Sequence, residues 1–138
     1  MDVNLVAVFV CGVLSMVVGF VWYGPLFGKM WMKVIGATEQ DKEKKKEMQK
    51  KAGPLYLVQF ILTLFQVYSL TYLATCWPKT DMLKLSIFIW IAFIVPIIAG
   101  SSMWNNDSSK TAWTRFLIQA GYQLVMFVIY GLVLNFWL

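Results

Sequence analysis

The chain has 138 residues, of which 59% are hydrophobic and only 14% charged, against roughly 25% charged in an ordinary soluble domain. That leaves too little polar surface to dissolve a folded chain in water, so the sequence reads as an integral membrane protein with lipid as its first partner. The net charge of +5 does not signal nucleic acid, because eight of the twelve basic residues fall between Lys29 and Lys51, beside an apolar run. Basic clusters in that position set topology and meet lipid headgroups.

Histidine is absent, which removes the commonest general base and the commonest transition-metal ligand. Cys11 and Cys76 form neither a metal pattern nor a disulfide framework. No catalytic residue, cofactor or metal site is expected, and the chain is not read as an enzyme.

Four apolar runs, at residues 4–23, 54–76, 83–104 and 116–137, reach the about 20 residues that a helix needs to cross a bilayer. The first lacks a basic n-region and carries Asp2, so it is expected to stay in the protein and not to act as a cleaved signal. Residues 1–138 form one transmembrane domain, an all-α up-down bundle of four helices joined by short connections. Ten basic residues flank the face that joins helices one to two and three to four, against only Lys79 and Lys84 on the other. The positive-inside rule then puts both termini outside, in a multi-pass protein of a bacterial cytoplasmic membrane.

Gly24-Pro25 breaks the first run. Beyond it, apolar residues recur in pairs every four positions over 26–35, with Lys29 and Lys33 opposite Phe27 and Trp31, the pattern of a short interfacial amphipathic helix. Trp22, Tyr23, Pro25, Lys29, Trp31 and Lys33 are its expected anchors. Residues 37–53 read as a charged cytoplasmic connector containing a short solvated helix, in which Asp41/Lys45 and Glu47/Lys51 stand at i,i+4. Gly53-Pro54 is expected to close that helix.

Inside the spans, Ala7, Cys11, Ser15 and Gly19 recur at every fourth position and form a contact face, within the chain or between copies. Pro96 is expected to kink the third helix. Gln59, Thr63 and Gln66 share one face of helix two, and Gln119 and Gln123 share one face of helix four beside Tyr122. Amides in hydrocarbon need partners, so these faces should turn inward, as interhelical glue or as the lining of a cavity. No Asp, Glu, Lys or Arg lies mid-span, which leaves a proton relay or ion-coupled pump without its charged element. Asn105, Asn106 and Asp107 at the end of helix three read as turn chemistry.

Three segments, "GFVWYGPLFGKMWMKVIG", "WIAFIVPIIAGSSMW" and "FLIQAGYQLVMFVIYGLVL", resemble the small four-helix membrane proteins grouped as domain of unknown function 1761. In that family Trp-Tyr-x-Pro ends helix one, Phe-Gly-x-x-Trp follows, and the last helix carries an Asn-Ala-Gly-Tyr-like motif. Trp22, Tyr23, Pro25, Phe27, Gly28 and Trp31 fit the first part, and Ala120, Gly121 and Tyr122 the second. Gln119 stands where the family more often has asparagine, which keeps the amide but lengthens its reach. The resemblance implies the architecture and no particular activity.

The leading functional expectation is a homo-oligomeric membrane protein with a passage or binding cavity for a small solute, lined by Gln59, Thr63, Gln66, Gln119, Tyr122 and Gln123. Its rival is a structural or accessory subunit that binds lipid or a larger membrane complex. An enzyme acting on lipid ranks third, resting only on Tyr23, Tyr122 and Asp107.

Overall fold

A computed structural model describes residues 4–34, 42–104 and 108–137, and its regular structure over them is helical throughout. Four helical stretches among them are long and apolar enough to cross a membrane: Leu5–Leu26, Gly53–Cys76, Met82–Met103 and Ser109–Trp137. Residues 37–41 of the expected connector, Ile35 at the end of the expected interfacial helix, and Asn105 to Asp107 lie outside the described residues, as do the side chains of Lys45 and Lys51.

Helix α1 (Leu5–Val21) opens at Asn4, whose side-chain oxygen accepts from the N–H groups of Val6 and Ala7 and so satisfies two donors that the first turn leaves free. Its far end widens into a π turn, Trp22–Leu26, in which Phe27 N–H donates to the Trp22 carbonyl at 2.9 Å. Pro25 is the physical cause. It has no N–H for the Val21 carbonyl and its ring crowds that group, and one extra residue in the turn relieves both. Helix α2 (Gly28–Val34) follows at once.

Helix α3 (Lys42–Cys76) runs unbroken for 35 residues, so the expected stop at Gly53-Pro54 does not occur. Pro54 costs the helix only the bond to the Lys50 carbonyl, and Lys50, Gly53 and Pro54 are all exposed, where water can take that bond over. The described part of the charged connector is therefore an extension of the second span and not a separate helix.

The third span is divided as helix α4 (Met82–Ile89), a second π turn (Trp90–Ile94) and helix α5 (Val95–Met103). Val95 N–H reaches back to the Trp90 carbonyl. The break that Pro96 demands is thus taken up as a widened turn just before it, and the proline sits in the first turn of α5, where a missing N–H is tolerated. Helix α6 (Ser109–Trp137) begins well before the expected residue 116. The Ser108 hydroxyl accepts from Thr111 N–H at 3.3 Å, so a polar run read as loop acts as the helix cap.

Helices α1 and α6 pack against each other at the centre, with α3 along α1 and α4 and α5 along α6. Gly12 of α1 meets Phe60 and Leu64 of α3, and Met82 at the start of α4 meets Asn135 near the end of α6. A Cβ on Gly131 would stand 2.6 Å from the Leu83 Cα, so glycine is what lets α4 and α6 approach this closely. The buried core gathers Ala7, Cys11, Val67, Met126, Phe127, Tyr130 and Leu134. Large apolar side chains such as Phe65 and Phe88 point outward, as suits a surface solvated by lipid.

Candidate functional site

The ends of α1 and α5 and the starts of the α3 span and of α6 lie at one end of the molecule, the end that carries most of the lysines. They line a partly open cavity of about 520 Å³. Three amide-bearing residues line it: Gln59 of α3, which is exposed and whose Nε2 donates to Thr63 Oγ1 at 3.5 Å, and the half-buried Gln119 and Gln123 of α6. Tyr122 joins them because positions 119, 122 and 123 share one helix face. Tyr23 and Trp31 line it from the π turn and α2, and Met16, Phe20, Ile97 and Ile98 supply apolar wall.

The polar groups are held by backbone anchors. Tyr122 Oη donates to the Ser15 carbonyl at 3.0 Å, passing beside Gly19, where a Cβ would stand 3.2 Å from that hydroxyl. Trp22 Nε1 donates to the Ile118 carbonyl at 2.9 Å, and Trp90 Nε1 to the Ala120 carbonyl at 3.0 Å. The two tryptophans open the two π turns and grip α6 on either side of Gln119. Gly121 leaves room for the first, since a Cβ there would lie 3.0 Å from the Trp22 ring. The Tyr23 ring packs edge-on against Trp31 and tilted against Tyr122, with centroids 4.9 and 5.5 Å apart. Arg115 donates to the Val34 carbonyl at 3.3 Å, placing a cation at the C-terminus of α2, where the helix dipole favours it.

A family model matches residues 6–135, nearly the whole chain. The chain belongs to the family described as protein of unknown function (DUF1761). No curated protein and no solved structure matches it. In this member of the family, the first and the last of the three segments that carry the resemblance are spatial neighbours: Trp22 and Tyr23 of the first pack on Gly121 and Tyr122 of the last.

Not every residue singled out in the sequence meets at the cavity. Thr63 is buried, with Oγ1 donating to the Gln59 carbonyl at 2.9 Å, and it lies outside the lining. Gln66 is half-buried and about 10 Å further along α3 than Gln59 at 1.5 Å per residue, also outside it. Of the small-residue stripe, Ala7 and Cys11 belong to the core while Ser15 and Gly19 form cavity wall. Pro25, Lys29 and Lys33 are exposed. Trp22 spends its indole N–H inside the chain, and Tyr23 and Trp31 face the cavity, so these three do more than sit at a headgroup boundary.

The lining also includes Tyr56 and Ser101, which sequence reasoning passed over. Tyr56 had a legible signal, standing three residues before Gln59 and so on the same helix face. Ser101 had none, since its place depends on how the π turn rotates α5.

Among the described lining residues none carries a formal charge. The amides and hydroxyls both donate and accept, beside a wall of apolar side chains. Such a site suits an uncharged molecule with hydrogen-bonding groups, because an ion brought there would lose its hydration without gaining a counter-charge. On the far side of the cavity the interior is filled by Val67, Met126, Phe127 and Tyr130, each at most 2% exposed.

Proposed function

We propose that this protein is a multi-pass membrane protein whose four spans run up and down across the bilayer, and that it binds a small uncharged molecule in the cavity at its basic end. The observation that carries this reading is the convergence of Gln59, Gln119 and Gln123 with Tyr122 in one cavity built from all four spans. By the positive-inside rule that end faces the cytoplasm and α2 lies along the membrane surface. The filled far half favours a closed-ended binding site over a passage through a single chain. Assembly of several copies, expected from the sequence, is a separate question that size measurement in detergent answers.

The test is thermal unfolding of the purified protein against a panel of uncharged polar solutes and neutral lipids. A ligand that binds only the folded state at 100 times its Kd adds about 2.7 kcal/mol, a readily measured rise in Tm. The reading requires a rise in the wild type that the double variant Gln119→Met and Gln123→Met loses. No rise with any compound, or an equal rise in the variant, overturns it.

A further inference from the structure

Helix α3 packs along α1 and α5 along α6, but α3 and α5 are not a closely packed pair, although both contribute lining. Lining residues of both helices are open to the outside: Tyr56, 63% exposed, with Gln59 on α3, and Ile97, 69% exposed, with Ser101 on α5. A side chain that both lines a cavity and faces outward marks a window. Ile97 stands six residues before the end of α5, about 9 Å inside the span at 1.5 Å per residue, so this window opens toward hydrocarbon. Its rim mixes apolar and aromatic side chains with the exposed Gln59 and Ser101, and the less exposed Gln119, Tyr122 and Gln123 lie behind it.

Building on the binding role proposed above, we infer that the occupant is a neutral lipid taken sideways from the bilayer. Its hydroxyl and carbonyl head lies among Gln59, Gln119 and Gln123, and its chain leaves between α3 and α5 across Ile97 and Tyr56. Two features select this class. A chain passing out across Tyr56 and Ile97 keeps its contacts with lipid and needs no transfer to water. A head with hydroxyl and carbonyl groups pairs with amides that donate and accept, whereas a phosphate would sit among uncharged lining residues and carry the cost of unpaired burial.

The full chain, reconstituted in phosphatidylcholine vesicles, is irradiated with a trace of diacylglycerol carrying a diazirine in one acyl chain. A parallel sample holds phosphatidylglycerol with the same chain. Labelled residues are mapped by mass spectrometry, with Phe65 and Phe88 as outward-facing references. The expected result is diacylglycerol labelling at Tyr56 and Ile97 about tenfold above the references, a 1.4 kcal/mol preference. Phosphatidylglycerol should show no such enrichment, and Gln119→Met with Gln123→Met should abolish it for diacylglycerol while leaving the references labelled.

Even labelling over all outward residues overturns the inference, as does equal enrichment with both lipids. If labelling is even while a water-soluble compound still raises the wild-type Tm and not that of the variant, the lipid assignment alone fails. If neither lipid nor solute acts, the binding role fails with it.

Discussion

The indole N–H of Trp22 donates to the carbonyl of Ile118 across 2.9 Å, joining residues 96 positions apart in the chain. Trp90 repeats the contact on Ala120. Residues two apart on a helix point about 200° from each other at 3.6 residues per turn, so the two tryptophans hold α6 from different sides and set the rotation that turns Gln119, Tyr122 and Gln123 toward the cavity. Each tryptophan opens a π turn associated with a proline, and this links the proline positions to the geometry of a site they do not touch.

Trp22→Phe should keep the packing on Gly121 and lose the hydrogen bond. Interhelical bonds in membrane proteins average about 0.6 kcal/mol, so a fall in stability of about that size is expected, measured by unfolding in detergent. Gly121→Val should cost more, about 1 to 3 kcal/mol for overpacking, because the ring 3.0 Å away is held by its bond to Ile118. Equal stability of Gly121→Val and the wild type would show that Trp22 is free to move.

Two glycine sites separate backbone contact from side-chain contact. At Gly131 an added Cβ meets the Leu83 backbone at 2.6 Å, whereas at Gly12 it meets the tip of Leu64 at 2.7 Å. A leucine tip can turn aside; a helix backbone moves only with its helix. Gly131→Ala should therefore destabilise by about 1 to 3 kcal/mol and Gly12→Ala by less, as read from parallel unfolding curves.

At the opposite end from the cavity, Asp81 Oδ1 accepts from Asn135 Nδ2 at 2.9 Å and from Leu83 N–H at 3.0 Å. The Asn135 amide first, then the Leu83 N–H, hold the Asp81 carboxyl below its ordinary value. A group whose folded pKa is depressed lends stability above its unfolded pKa and loses it as pH falls through the folded one. Stability should thus decline on acidification through and below the normal aspartate range, and Asn135→Leu should flatten that decline. The effect is small because the carboxylate is exposed, and a titration of stability from neutral to acid pH in both proteins measures it. An identical slope in wild type and Asn135→Leu would remove the pair from the account.

The number and placing of the apolar helices were legible because about 20 consecutive apolar residues admit few other readings. The amides on α6 could also be read, since Gln119 and Gln123 stand four apart. Gln66 shows where this reasoning ends. Periodicity assigns it to the face of Gln59, but a helix face is longer than a cavity, and only the packed neighbours decide how much of it is lined. The continuity of α3 through Pro54 escaped for a different reason: a proline at an exposed turn loses one hydrogen bond that water replaces, so the residue that ends many helices does not end this one. The π turns were out of reach as well, because Pro25 and Pro96 announce a disturbance and the surrounding packing selects how it is absorbed.

Tyr122→Phe probes the cavity wall directly. It removes the hydroxyl bonded to the Ser15 carbonyl and keeps the ring against Tyr23. Stability should fall by about 0.6 kcal/mol on the scale of such bonds, and the Tm rise given by a bound ligand should shrink because the wall loses its tether to α1. A ligand response larger than that of the wild type would contradict the positioning role.

The central claim is that the cavity lies at the basic end and is closed toward the other, and cysteine accessibility tests it most directly. In a Cys76→Ser background, which leaves buried Cys11, Gln123→Cys and Phe127→Cys proteins are reconstituted in oriented vesicles. Each is treated from either side with a small water-soluble methanethiosulfonate. The account expects Gln123→Cys to react from the lysine-rich side only and Phe127→Cys from neither. Reaction of Gln123→Cys from both sides, or of Phe127→Cys from the opposite side, would contradict it and make the molecule a passage.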